Sequence, residues 1–120
     1  MIPAVEYLQS QRLRSMMMQE LAKATANVDV YLAPSTNGNP RAPEGTPPPI
    51  PAPPTNKTQQ HYQMANLACY PAVALPNGFT VSGSPTSMIF MAQPYAEAKL
   101  LAFTKAYQDS TGFHLKHPVL

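Results

Sequence analysis

Four groups of side chains have types and spacings that could carry chemistry. Ser82-Gly83-Ser84, with Ser87 close by, mimics a loop that presents a nucleophilic serine. Ser and Gly are ordinary turn residues, so a turn is the expected reading. His114 and His117 stand three apart, which suits two metal ligands on a helix, but Gly112 and Pro118 break the helix around them and zinc sites need three or four ligands. No metal or other cofactor is expected. Cys69 could be a nucleophile; in its apolar setting it reads instead as an inert, small core residue. Asp29 and Glu97 could form a carboxylate pair for acid–base work. Glu97, however, falls in the first turn of a helix, where it complements the dipole, and Asp29 at a helix-to-strand junction.

The elements that must position these groups follow from periodicity. Val5, Leu8, Leu13, Met16, Met17, Leu21, Ala24 and Val28 recur every three to five residues, the stripe of one helix, with Gln9, Arg12, Gln19 and Lys23 on its wetter side. Asp29–Leu32 reads as a short buried strand stopped by Pro34. His61–Cys69 reads as a short helix and Ala72–Pro76 as a strand. Asn77-Gly78 reads as a turn, with Phe79–Val81 extended beyond it. Met88–Ala92 is a continuous apolar run that fits a strand buried on both faces. Ala96–Ser110 reads as the last helix, with Ala98, Leu101, Ala102, Lys105 and Ala106 around one face, Leu100, Phe103 and Tyr107 beside it, and Gly112 as its C-cap. Exposed apolar faces at Met16–Met18 and Met88–Met91 predict poor solubility for the chain made alone.

Between the two foldable blocks lies a proline-rich stretch. Nine of the fifteen prolines fall between Pro34 and Pro54, and residues 35–60 show no periodicity. Proline has no N–H and a fixed φ, so this stretch cannot join a regular ladder. The expected organisation is a helix and strand over 1–34, a proline-rich loop over 35–60, and strands and a helix over 61–120. Pro48–Pro51 and Pro51–Pro54 both satisfy P-x-x-P, a pattern that docking domains read in polyproline II form, although no basic specificity residue accompanies them. A non-catalytic interaction module built on this segment is therefore an alternative function.

Bulk composition narrows the field further. Net charge is +2, charged residues make up 12% and hydrophobic residues 44%, so the charged coat is thin for a small domain. No Lys/Arg cluster exceeds the Arg12/Arg14 pair, which argues against nucleic acid. Apolar runs are far short of the roughly 20 residues of a membrane helix, and no signal peptide is visible, making a cytoplasmic location the default. A single cysteine excludes an internal disulfide.

Asn66-Leu67-Ala68-Cys69-Tyr70-Pro71-Ala72-Val73-Ala74-Leu75-Pro76-Asn77-Gly78-Phe79 resembles the N-L-x-G-x-P-A-x-x-x-P-x-G segment of amidase-signature enzymes. Gly83–Phe90 resembles their following turn and strand, Tyr95–Leu101 their F-x-E-x-x-L-L helix start, and Phe113–Pro118 their closing tail. Arg12 and Val28–Pro34 are similar to the upstream helix and strand. Cys69 stands where the family usually has Gly, and Ser87 where many members have Gly before the buried strand. The resemblance implies an α/β fold: a C-terminal fragment of the amidase-signature architecture, with short mixed sheet strands, covering helices and the proline-rich loop. It also implies carboxamide hydrolysis by a Ser–cis-Ser–Lys triad with a backbone oxyanion site. The triad's Gly-Ser-Ser-Gly-type signature lies upstream of the matched region, so it assigns no catalytic residue here. The expected role is scaffold and pocket wall, inactive alone, with a missing N-terminal amidase portion as partner and a small amide as substrate of the complete enzyme. A complementing subunit is the third reading.

Overall fold

The computed structural model describes residues 2–35, 57–81 and 83–116. Its elements are α1 (Ala4–Ala24), β1 (Tyr31–Pro34), α2 (Lys57–Leu67), β2 (Ala72–Phe79), β3 (Pro85–Met91), α3 (Glu97–Thr111) and the 3₁₀ turn η1 (Phe113–Leu115). None of the described helices is long and apolar enough to cross a membrane.

The sheet has the order β1-β3-β2, so the apolar run Met88–Met91 takes the central position. That run lacks polar alternation because both faces of β3 are covered. Successive side chains in a strand point to opposite faces, and here each face meets its own core. Met91 and Ile89 pack with Ala65, Ala68 and Tyr70, beneath Met17, Met18 and Leu21 of α1 and Tyr62 of α2. Phe90 points the other way and packs with Leu75, Ala92 and Leu100, beside Val73, Met88 and Tyr107. Helices α1 and α2 thus cover one face and α3 the other, a three-layer α/β arrangement.

The α/β class is as expected, while the mixed pairing is not: β1 and β2 both pair antiparallel with β3. β1 runs from Tyr31 to Pro34, two residues later than the expected strand, because proline is tolerated at the end of an edge strand. Helix α2 begins at Lys57, four residues before His61, and stops at Leu67. Asn77-Gly78 does not turn the chain. It forms a bulge inside one continuous strand, where pairing slips from Pro76↔Ser87 to Gly78↔Thr86 and leaves Asn77 as the extra residue. Thr80–Ser84 makes the reversal instead, with the Thr80 amide donating to the Ser84 carbonyl at 2.8 Å and the Gly83 amide to the Thr80 carbonyl at 2.9 Å.

Helix periodicity is assigned correctly, but two packing stripes differ from expectation. On α1, only Met17, Met18 and Leu21 meet the core, whereas Val5, Leu8, Leu13 and Met16 are exposed. On α3, Leu100 and Thr104 are buried and Tyr107 completes an i, i+4, i+7 line, whereas Leu101 is exposed. Met88–Met91 lies in the core, as its continuous apolar run predicted and contrary to the exposed face expected of the chain made alone. Gly112 caps α3 at φ 63°, its amide donating to the Gln108 carbonyl at 3.0 Å, as its position predicted.

Candidate functional site

A cluster of polar contacts gathers at the corner where α2 runs into β2, the segment Asn66–Pro71. Helix α2 ends in a Schellman motif: the Cys69 amide donates to the Asn66 carbonyl at 3.2 Å and the Tyr70 amide to the Ala65 carbonyl at 3.0 Å. That geometry requires a left-handed residue between the helix and Tyr70, and Cys69 takes it with φ 60°. The accompanying hydrophobic contact is present as well, since Ala65 and Tyr70 share a core cluster. Cys69 is consequently exposed rather than an inert core residue, because a left-handed cap projects its side chain off the helix end.

Arg14 closes the corner from α1. Its Nε donates to the Leu67 carbonyl at 2.7 Å, satisfying one of the carbonyls orphaned at the helix end, and its Nη2 lies 3.5 Å from Cys69 Sγ. A cation at a helix C-terminus is also favoured by the dipole. An L-residue in the left-handed region costs roughly 1 kcal/mol relative to glycine. Cys69→Gly is therefore expected to raise stability by about that amount and Cys69→Val to lower it, read from urea unfolding midpoints. A destabilising Cys69→Gly change would show that the Arg14–thiol contact outweighs backbone strain.

Behind the corner, tyrosines tie the layers together. Thr25 Oγ1 donates to the Leu21 carbonyl at 2.9 Å, and its single proton is thereby used. The buried Tyr70 hydroxyl, 2.9 Å from the same oxygen, must then be the donor of that second bond. Gln93 Nε2 donates to the Thr25 carbonyl at 2.9 Å and fixes the end of α1 to the segment after β3. Tyr31 on β1 meets His61 on α2, hydroxyl to Nε2, at 3.0 Å, with the rings edge-on. Burial, and secondarily the neighbouring Tyr70, pushes the Tyr31 phenol up to about 12. Burial raises Tyr62 too.

Because the Tyr31 value lies above the ordinary phenol value of 10.0, the folded chain holds this proton more tightly than the unfolded chain. The stability it contributes is intact below about pH 10 and lost as pH rises toward about 12. Denaturation midpoints of the wild-type chain should fall faster over that window than those of Tyr31→Phe. Parallel curves would remove Tyr31 as the cause.

Of the described residues singled out in the sequence for chemistry, only Cys69 lies at this corner. Asp29 and Glu97 do not form a carboxylate pair: Asp29 accepts from Lys99 Nζ at 2.5 Å, and Glu97 occupies the first turn of α3. Ser84 belongs to the hairpin turn, its amide donating to Thr80 Oγ1 at 3.0 Å, and Ser87 sits on β3 opposite Pro76. His114 is exposed on η1. Ser82, His117 and both P-x-x-P stretches lie outside the described residues, among which no group of three His, Cys, Asp or Glu side chains could hold a metal. Arg14, Thr25, His61 and Tyr31 were not found from the sequence, because their partners lie far along the chain. The one sequence signal for the Schellman cap was the resemblance, which places glycine where Cys69 stands.

A protein-family model described as Amidase matches residues 3–101. The chain belongs to the amidase family. It is 32% identical over 115 residues to a glutamyl-tRNA(Gln) amidotransferase subunit from Marinomonas sp. (strain MWYL1), covering 95% of this chain. It is 35% identical over 115 residues to the protein of that name from Pseudomonas syringae pv. syringae (strain B728a), and 33% over 113 residues to that of Legionella pneumophila (strain Paris), covering 93% of this chain in each case. The amidase-family chain spans 23% of the length of each of these relatives.

Proposed function

We propose that this chain is the C-terminal part of a carboxamide C–N hydrolase, supplying sheet strands, covering helices and a stretch of pocket wall, and inactive by itself. The observation that carries this reading is the outer side of α1. Ile2, just before the helix, and Val5, Leu8, Leu13 and Met16 along it are all more than half exposed, while Met17, Met18 and Leu21 already pack on the sheet. Apolar side chains exposed in that number along one side of a helix, interleaved with Gln9, Arg12 and Gln19, suit a side that another part of the protein covers. Family membership and the 23% span of the relatives supply the natural cover, the remainder of an amidase. The serines and lysine of the expected triad would come from that remainder, as would most of the substrate contacts.

The purified chain is expected to show no turnover of simple aliphatic or aryl amides. Co-expression with an upstream amidase portion is expected to give amide hydrolysis that follows the complex through size exclusion. Turnover by the chain alone, abolished by Ser84→Ala or Ser87→Ala, would overturn the proposal. Similarity to amidotransferase subunits favours a second reading, in which the assembled protein transfers amide nitrogen. Supplying the complex with an amide donor, with and without glutamyl-tRNA(Gln) and ATP to activate its carboxylate, and following whether the nitrogen leaves as ammonia or ends on the tRNA-borne glutamyl group, separates the two.

A further inference from the structure

A recess of about 340 Å³ opens at the far end of the sheet, between the β2–β3 hairpin and η1. Pro76, Phe79, Pro85, Phe113, His114 and Lys116 line it. Gly78 of the bulge forms part of its wall. Gly78 adopts φ +130°, a conformation that other residues rarely take, and a Cβ there would lie 3.7 Å from the Phe113 ring. Two of the walls are prolines, which present no N–H, and two are phenyl rings, so the body of the recess is apolar.

Its polarity is concentrated at one place. Lys116 Nζ stands 5.3 Å from the centroid of Phe113 and 6.0 Å from that of Phe79, within the range where ring faces hold an ammonium. The ion pairs among the described residues are Lys23–Glu20, Lys99–Asp29 and Lys105–Asp109; Lys116 belongs to none of them. No Asp or Glu among the described residues lines the recess. A slot at the small end of the range for small-molecule sites, with aromatic walls and a cation at its mouth that no described carboxylate neutralises, is complementary to an anion carried on a flat apolar body.

We propose that this recess binds a small aromatic carboxylate, its ring against Phe79 and Phe113 and its carboxylate on Lys116 Nζ, with His114 at the rim. The site is built entirely from residues of this chain and stands whether or not the amidase reading holds. Titrating the ¹⁵N-labelled 120-residue chain with benzoate tests it. The expected result is saturable amide shifts centred on Phe79, Phe113 and Lys116, with affinity about tenfold weaker in Lys116→Met and Lys116→Gln, the scale of one lost charge-assisted bond. Benzamide, which keeps the ring without the charge, and acetate, which keeps the charge without the ring, should each bind about tenfold more weakly than benzoate. The proposal is overturned if benzoate gives no saturable shifts, if the shifts centre on another surface, if acetate equals benzoate, or if both Lys116 variants bind benzoate as the wild type does.

Discussion

Phe90→Ala is expected to lower the unfolding free energy by about 3–5 kcal/mol, the upper range for truncating a core side chain. Phe90 lies on the central strand, 6% exposed, and its ring meets Phe103 at 5.4 Å and Tyr107 at 5.2 Å between centroids. Truncation removes the transfer free energy of the ring and both aromatic contacts, and leaves a hole that flanking strands cannot close without breaking their register. Domains of this size hold only about 5–15 kcal/mol in total, so the variant should unfold at much lower urea concentration or fail to fold. A loss below about 1 kcal/mol would mean that α3 does not dock on this face as described.

Leu100→Ala should cost about 2–5 kcal/mol for the same physical reason from the opposite partner. Leu100 is 1% exposed and is the point at which α3 enters the core shared by Leu75, Phe90 and Ala92. Leu100→Met, which conserves volume, should cost less than about 1.5 kcal/mol. The two alanine changes share one cavity, so their combined effect should fall short of the sum, and chemical denaturation of the double variant measures that coupling. By contrast, Leu101→Ala one position along α3 removes an exposed side chain and is expected to change stability by no more than about 0.5 kcal/mol.

The contrast between Leu100 and Leu101 marks what local sequence can tell. Helix existence, the strand at Met88–Met91 and the Gly112 cap were legible because each depends on a few adjacent residues: periodicity, an apolar run, a glycine. Which side of a helix faces the core was not. On α1 and α3 the apolar residues are spread around the axis, so no single stripe stands out, and only tertiary contacts pick Leu100, Thr104 and Tyr107. Asn77-Gly78 misled for a related reason, since the same glycine conformation serves a turn or a bulge and the continuing pairing to β3 decides. At the α2–β2 corner, the cap was hinted at by a resemblance that puts glycine where Cys69 stands, while Arg14 and Thr25 reach Leu67 and Tyr70 across distances in sequence that no local pattern spans.

The register of β1 has a consequence for how the molecule assembles. β2 and β3 are joined by a five-residue reversal over 80–84, whereas β1 reaches the same hairpin only after the whole segment 35–71 is closed. Loop-closure entropy grows with the logarithm of length, which makes that second closure less favourable by about 2 kcal/mol. The hairpin is thus the local, early-forming part of the sheet, and Tyr31 finds Met91 late. Of the three described strands, the first along the chain is the last to be paired.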